Sequence, residues 1–139
     1  MEDHKRAVID TNILVRYLTN DDPSKAKAVD SLLNKALKGE LKILIPSIVI
    51  AELVWVLESF YEMRANEIAE LIEAVLNTPG VEVTDKSIIN LALKLYRAKN
   101  MDFIDAWIIE FAKNNNVNTI YTFDKRHFKA TEDIEAKSP

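Results

Sequence analysis

Short apolar runs alternate with longer amphipathic stretches along this chain, and that alternation limits the folds open to it. These short segments are mostly apolar, although they include polar residues such as Lys42 and Glu82, and they have the length of strands. They lie at residues 7–9, 41–45, 81–83 and 117–123. Between them, apolar residues recur at the three- and four-residue spacing of helices that bury one face. We therefore predict a single domain over residues 1–139, an α/β/α sandwich with a mostly parallel central sheet of about four to five strands.

Capping residues predict where several helices begin and end. Asp22 followed by Pro23 supplies an N-cap and a proline at the first helical position, and Gly39 ends that helix. Pro46 opens a helix whose residues 48–57 are apolar on nearly every side, a pattern typical of a buried helix. The polar tail at residues 129–139 is expected to form an edge strand or to fray.

Scarce residue types exclude several kinds of chemistry. The chain has no Cys and two His, which excludes a thiol nucleophile, a disulfide framework and a zinc site built on thiolates or several histidines. Two glycines, Gly39 and Gly80, cannot form a Walker A or GxGxxG loop. Carboxylates are abundant, which favours hard-metal or acid–base chemistry if the chain is an enzyme.

The sequence contains no pattern typical of secretion or membrane insertion. The charged residues 1–6 lead into only a short apolar run, unlike a secretion signal. The longest apolar stretch, residues 43–57, is interrupted by polar residues and falls short of the ~20 residues that span a bilayer. We therefore expect a cytoplasmic protein.

Two aspartates follow predicted strands, at the sheet edge where open parallel sheets bind ligands. Asp10 comes after the first strand and Asp124 after the fourth. Each also has an ordinary structural interpretation, because Asp is favoured at helix N-caps and in turns. Asp10 could cap the helix that begins near Asn12, and Asp124 could open a turn.

Two further acids lie early in predicted helices. Glu52 has apolar residues three and four positions away, so an ionised side chain there would need a counter-charge from a Lys, an Arg or a metal. Asp105 occupies the third position of a capping box begun by Asp102. It also lies beside Ile108 and Ile109, on a helix expected to pack toward the core.

If these four acids meet, they would raise one another's pKa values unless a cation neutralised them. Oxygen ligands favour Mg²⁺ or Mn²⁺, which keep waters that phosphate oxygens can replace. This chemistry indicates metal-assisted hydrolysis of a phosphodiester. Arg16, Lys125 and Arg126 border the acids and could hold a nucleic acid by its phosphates, although charge runs are more often solvated surface.

Four segments resemble, in order, the motifs of PIN-domain ribonucleases, especially VapC-type toxins of toxin–antitoxin pairs. They are VIDTNIL at residues 8–14, PSIVIAEL at 46–53, DFIDA at 102–106 and TFD at 122–124. The similarity spans about residues 7–128. It implies an acidic metal-binding quartet with three accessory residues. The quartet is Asp10, Glu52, Asp105 and Asp124, and the accessory residues are Asn12, Asp102 and Thr122.

The resemblance also implies an activity. Family members are endonucleases that cut single-stranded RNA with Mg²⁺ or Mn²⁺, commonly form homodimers, and are inhibited by a small antitoxin when they are toxins. Under this hypothesis Asp10, Asp105 and Asp124 hold the metal, while Glu52 ligates it or orients the attacking water.

Two alternatives remain open at this stage. One is a non-catalytic PIN-like binding module, although all four acids are present. The other is a phosphotransfer protein of the same architecture, either a phosphatase or a receiver domain. The phosphatase motif needs a second Asp where Asn12 stands, and the acidic pair of a receiver is not evident.

The net charge of −4 is unusual for a nucleic-acid-binding protein, since such proteins are usually basic. Without the four proposed ligands, 18 acidic residues balance 18 basic ones. The excess negative charge therefore equals that of the proposed site, and a divalent cation would offset half of it. The acidity is compatible with an RNA substrate.

Overall fold

The computed structural model describes residues 5–128 and 131–139. Its strands are β1 (Lys5–Val8), β2 (Leu41–Ile45), β3 (Val81–Val83), β4 (Thr119–Tyr121) and β5 (Glu135–Lys137). Its helices are α1 (Thr11–Thr19), α2 (Pro23–Leu37), α3 (Ser47–Ser59), α4 (Ala65–Leu76), α5 (Lys86–Lys99) and α6 (Phe103–Asn114), with a 3₁₀ turn at Lys125–Phe128. The chain divides into two compact units, Met1–Lys86 and Ser87–Pro139, so the single domain over residues 1–139 stays a prediction.

The first unit contains a parallel sheet with the strand order β1-β2-β3. Ile43 in β2 pairs with Ala7 in β1 and with Val81 in β3. Because β2 is the central strand, its side chains Ile43 and Ile45 are fully buried. The predicted strands at residues 41–45 and 81–83 are confirmed.

The predicted boundaries of α2 are also confirmed. Pro23 is its first residue, and the Asp22 carboxylate accepts a hydrogen bond from the Lys25 backbone N–H at 3.2 Å. The helix ends at Leu37, and Gly39 follows with a φ of +79°. A proline at the start and a glycine after the end are the expected signals for such a helix.

The prediction that α3 is buried on nearly every side is wrong. One face is fully buried, with Ile50, Leu53 and Leu57 in the core. On the other side, Ile48 is 75% exposed and Trp55 is 57% exposed. A helix that packs on one side buries a stripe, so apolar residues outside that stripe remain on the surface.

The second unit contains α5, α6 and a parallel pair of strands, with Ile120 of β4 opposite Ala136 of β5. The predicted strand at residues 117–123 forms over only three residues. Part of the tail forms the edge strand β5, while residues 129 and 130 lie outside the described part of the chain. The parallel α/β fold is confirmed, although the five described strands form two sheets, one of three strands and one of two.

Within residues 5–128 and 131–139, no helix has both the length and the apolar character needed to cross a membrane.

Candidate functional site

Asp10 stands just after β1 and caps α1. Its Oδ1 accepts a hydrogen bond from the Ile13 backbone N–H at 3.3 Å, and the residue is exposed. The ordinary interpretation of Asp10 as an N-cap therefore holds. It does not exclude a second role, because an ionised carboxylate has about four acceptor positions and the cap uses one.

Glu52 and Asn12 line the same pocket in the first unit, as does Arg16. The pocket has a volume of about 480 Å³ and is lined by Thr11, Asn12, Val15, Arg16, Glu52, Val56, Phe60 and Tyr61. Glu52 is exposed, so the argument that its burial demands a counter-charge is wrong. The reason is the partial burial of α3, which places Glu52 on its accessible side.

Asp21, which the sequence did not single out, organises the polar side of this pocket. It accepts hydrogen bonds from Arg16 Nη1 at 3.3 Å, from Thr19 Oγ1 at 3.1 Å and from the Tyr61 hydroxyl. The Tyr61 hydrogen bond contributes most to lowering the pKa of Asp21. Thr19 and Arg16 lower it further, while burial opposes them. An ionised Asp21 therefore holds Arg16 and Tyr61 in place.

Asp102 and Asp105 lie at the N-terminus of α6, in the second unit. The Asp102 carboxylate caps the helix by accepting hydrogen bonds from the backbone N–H groups of Ile104 at 2.9 Å and Asp105 at 3.4 Å. The Asp105 side chain is only 17% exposed. Burial raises its pKa, and the nearby charges of Asp102 and Asp124 raise it further, against the opposing effect of His127.

Asp124 is held by Thr122 and Arg126. The Thr122 hydroxyl accepts a hydrogen bond from the Asp124 backbone N–H at 3.0 Å, which fits the accessory role that the resemblance implies. Arg126 Nε lies 3.2 Å from Asp124 Oδ1, and this hydrogen bond is the main reason that the pKa of Asp124 is lowered. Arg126 thus pairs with a proposed ligand, while Lys125 is exposed at the start of the 3₁₀ turn.

His127 was not among the predicted site residues, although the structure places it between two of them. Its Nδ1 lies 3.2 Å from Asp105 Oδ2, and its Nε2 lies 3.0 Å from Asp124 Oδ2. The available signal was its position three residues after Asp124, in a short turn. Asp102, Asp105, Arg126 and His127 line a pocket of about 430 Å³ in the second unit.

Comparison with known proteins decides the family. The model of the PIN domain family matches residues 7–134. Over 123 residues the chain is 30% identical to the VapC ribonuclease of Aquifex aeolicus (strain VF5), an alignment that covers 88% of this chain and 90% of that protein. The chain belongs to the PIN-domain family and is of the VapC type. This membership excludes the phosphatase and receiver alternatives.

The VapC-type chain is also similar to a solved structure, that of VapBC2 from Rickettsia felis bound to a DNA fragment from their promoter. The TM-score is 0.39 and the identity 18%, with 96% of this chain and 98% of that chain covered.

The acidic residues of this PIN domain fit a hard divalent cation by their chemistry. All four proposed ligands offer carboxylate oxygens, which Mg²⁺ and Mn²⁺ prefer. Burial contributes most to the raised pKa of Asp105 and the charges of Asp102 and Asp124 add to it, so a nearby cation would favour its ionised form. In the described part of the chain, no three His, Asp or Glu side chains already lie together as a metal cluster.

Proposed function

We propose that this VapC-type PIN domain is a Mg²⁺- or Mn²⁺-dependent endoribonuclease that acts on single-stranded RNA in the cytoplasm, as the toxin of a toxin–antitoxin pair. The observation that carries the proposal is the position of two proposed ligands around one side chain: the Asp105 and Asp124 carboxylates lie 3.2 Å and 3.0 Å from the two ring nitrogens of His127. Two carboxylates held this close, with the Asp105 side chain only 17% exposed, favour the binding of a cation that neutralises them. The 30% identity to a VapC ribonuclease supports the same activity.

In this proposal Asp10, Asp105 and Asp124 hold the metal, and Glu52 ligates it or orients the attacking water. A bound divalent cation polarises the scissile phosphate and lowers the pKa of its water. Asp10 and Glu52 belong to the first unit and the other two acids to the second.

Other residues of the proposed site position these acids. Asp102 caps the first turn of α6 and thereby fixes the backbone position from which the Asp105 side chain extends. Thr122 fixes the backbone of Asp124. His127 links the two carboxylates, since its ring nitrogens lie 3.2 Å from Asp105 Oδ2 and 3.0 Å from Asp124 Oδ2.

The basic residues are proposed to contact the RNA backbone. Arg16 lines the pocket that contains Glu52, and Lys125 and Arg126 directly follow Asp124. Phosphate contacts of this kind position a nucleic acid without reading its sequence. They are also the contacts most weakened by salt.

Purified protein is expected to cleave a labelled, unstructured RNA in the presence of Mn²⁺ or Mg²⁺ and to stop when EDTA is added. Asp10→Asn is expected to lower the rate at least ~100-fold, because even residues that only support metal ligands contribute 10- to 100-fold. Asn caps helices as well as Asp, so the variant should keep its fold. Gel analysis of the products measures the rate.

Asp30→Asn is the matched control, since Asp30 is an exposed acid on α2. Full activity in Asp10→Asn would overturn the assignment of that residue. RNA binding by the wild type with no metal-dependent cleavage would favour the binding-module alternative. A DNA strand of the same sequence, tested in parallel, measures the preference for RNA.

Two protein partners belong to the proposal: a second copy of the chain and a small antitoxin. Ile104, Phe111 and the stacked ring of Trp107 place apolar surface along α6, and exposed apolar patches commonly mark protein interfaces. Light scattering of the chain, alone and with the product of the neighbouring small reading frame, tests both partners.

A further inference from the structure

The pocket in the first unit has an aromatic wall that the proposed hydrolysis does not use. Phe60 is 71% exposed, although it lines the pocket, and Tyr61 lines it beside Phe60. The Phe60 ring meets Trp55 edge to face, with centroids 5.8 Å apart and an interplanar angle of 80°. An edge-to-face partner supports the Phe60 ring while leaving a flat surface for another ring to stack on.

Arg16 adds hydrogen-bond donors to the same pocket. A guanidinium has five N–H donors, and here Nη1 donates to Asp21. Arg16 Nε is buried and has no hydrogen-bond partner among the described residues. The side chain as a whole is 30% exposed, so its remaining donors can reach a ligand.

These groups are held in place before any ligand binds. Asp21 accepts hydrogen bonds from both Arg16 and Tyr61, and so connects the end of α1 to the end of α3. Asn20, with a φ of +54°, makes the left-handed turn that brings Asp21 back over α1. A ligand therefore meets a preformed wall and loses little affinity to ordering it.

We propose that this pocket binds an unpaired nucleobase of the RNA, with Phe60 stacking on its face and Arg16 donating to its carbonyl oxygens or to the adjoining phosphate. Unstacked bases are recognised by aromatic rings and Arg in this way. The volume of about 480 Å³ falls in the range of small-molecule sites. The inference rests on the proposed function, because Glu52 and Asn12 in the same pocket place the reacting phosphate nearby.

The test is fluorescence anisotropy in EDTA with a labelled RNA dodecamer and an abasic ribose-phosphate oligomer of equal length. The wild type is expected to bind the intact RNA more tightly. Phe60→Leu should weaken binding of intact RNA about tenfold, since stacking on one aromatic ring has that size, and leave binding of the abasic oligomer unchanged. Phe60→Tyr, which keeps the ring, should restore most of the affinity.

Tyr17→Leu is the control, because Tyr17 is an exposed aromatic residue of α1 that does not line the pocket. Equal binding of the two oligomers by the wild type, or an equal loss for both in Phe60→Leu, would overturn the proposal. A pocket that binds a peptide would show no loss for either oligomer in Phe60→Leu, and that result would also overturn the proposal. Since EDTA prevents cleavage, a failure of the nuclease proposal appears separately, as absent cleavage with intact base-dependent binding.

Discussion

Replacing Asp105 with Asn is expected to lower the rate of RNA cleavage at least ~100-fold while leaving the melting temperature at neutral pH unchanged or higher. The loss of activity follows from the proposed role of the carboxylate as a metal ligand. The effect on stability follows from the surroundings of Asp105. Burial and the charges of Asp102 and Asp124 raise its pKa, so the fold disfavours its ionised form.

The pH dependence has a definite sign. When the folded-state pKa of an acid is raised, the protonated side chain is the favoured one in the fold. The stability it contributes is complete below the unfolded-state pKa and is lost as the pH rises through the raised folded-state pKa. Asn cannot ionise and avoids that loss. Relative to the wild type, Asp105→Asn should therefore gain stability as the pH rises above the ordinary Asp pKa of about 4 and through the raised folded-state pKa.

The stability difference between Asp105→Asn and the wild type is measured by thermal unfolding at several pH values, followed by circular dichroism without divalent metal. The RNA cleavage assay measures the rate of cleavage. Asp133→Asn is the control, because Asp133 is a well-exposed acid of the same unit. Wild-type cleavage by Asp105→Asn would contradict its role as a ligand. A melting temperature well below that of the wild type at neutral pH would contradict the conclusion that the fold disfavours an ionised Asp105.

Local patterns were sufficient to predict most of the secondary structure. The start of α2 depends on Asp22 and Pro23, which are the N-cap and the first residue of the same helix, and β2 depends on a short apolar segment interrupted only by Lys42. All the residues that make up such a pattern lie within a few positions of one another in the sequence. The burial of α3 was predicted wrongly, because a local apolar pattern does not say how many sides of a helix are covered.

In the candidate site too, the sequence was enough to predict some residues, while others depend on contacts that form only in the fold. The capping pattern was enough to predict Asp102 and Asp105, and the structure confirms Asp102 as a cap. Thr122 was predicted only from the resemblance to PIN-domain motifs. The contact of Tyr61 with Asp21 joins residues 40 positions apart, so no local signal encodes it. His127 was missed because a single His near an acid is common, and its position between two carboxylates depends on how the turn folds back on α6.

Replacing Gly80 with Ala is expected to destabilise the protein by about 3 kcal/mol or more. Gly80 has a φ of +80°, a conformation that costs a residue with a Cβ about 1–2 kcal/mol. The added Cβ would also lie 2.4 Å from the Ala36 carbonyl oxygen and 2.9 Å from the Ala36 Cβ. Overpacking against a helix that cannot yield costs about 1–3 kcal/mol more.

The backbone around Gly80 cannot move freely to relieve this clash. Its carbonyl oxygen accepts a hydrogen bond from the Ile43 backbone N–H at 2.9 Å, which extends the pairing of β2 with β3. Ala36 is buried near the end of α2, so the helix is fixed by its own packing. A shift on either side would break contacts of the first unit's core.

Gly39→Ala separates the two contributions, because Gly39 has nearly the same backbone conformation without the clash. Its φ is +79°, and an added Cβ would have no atom within 4 Å. The free energy of unfolding of this variant should therefore fall by only about 1 kcal/mol, the cost of the left-handed backbone conformation. Urea unfolding of both variants measures the difference. Equal losses would mean that the Gly80–Ala36 approach can relax, and that the left-handed backbone alone requires glycine at both positions.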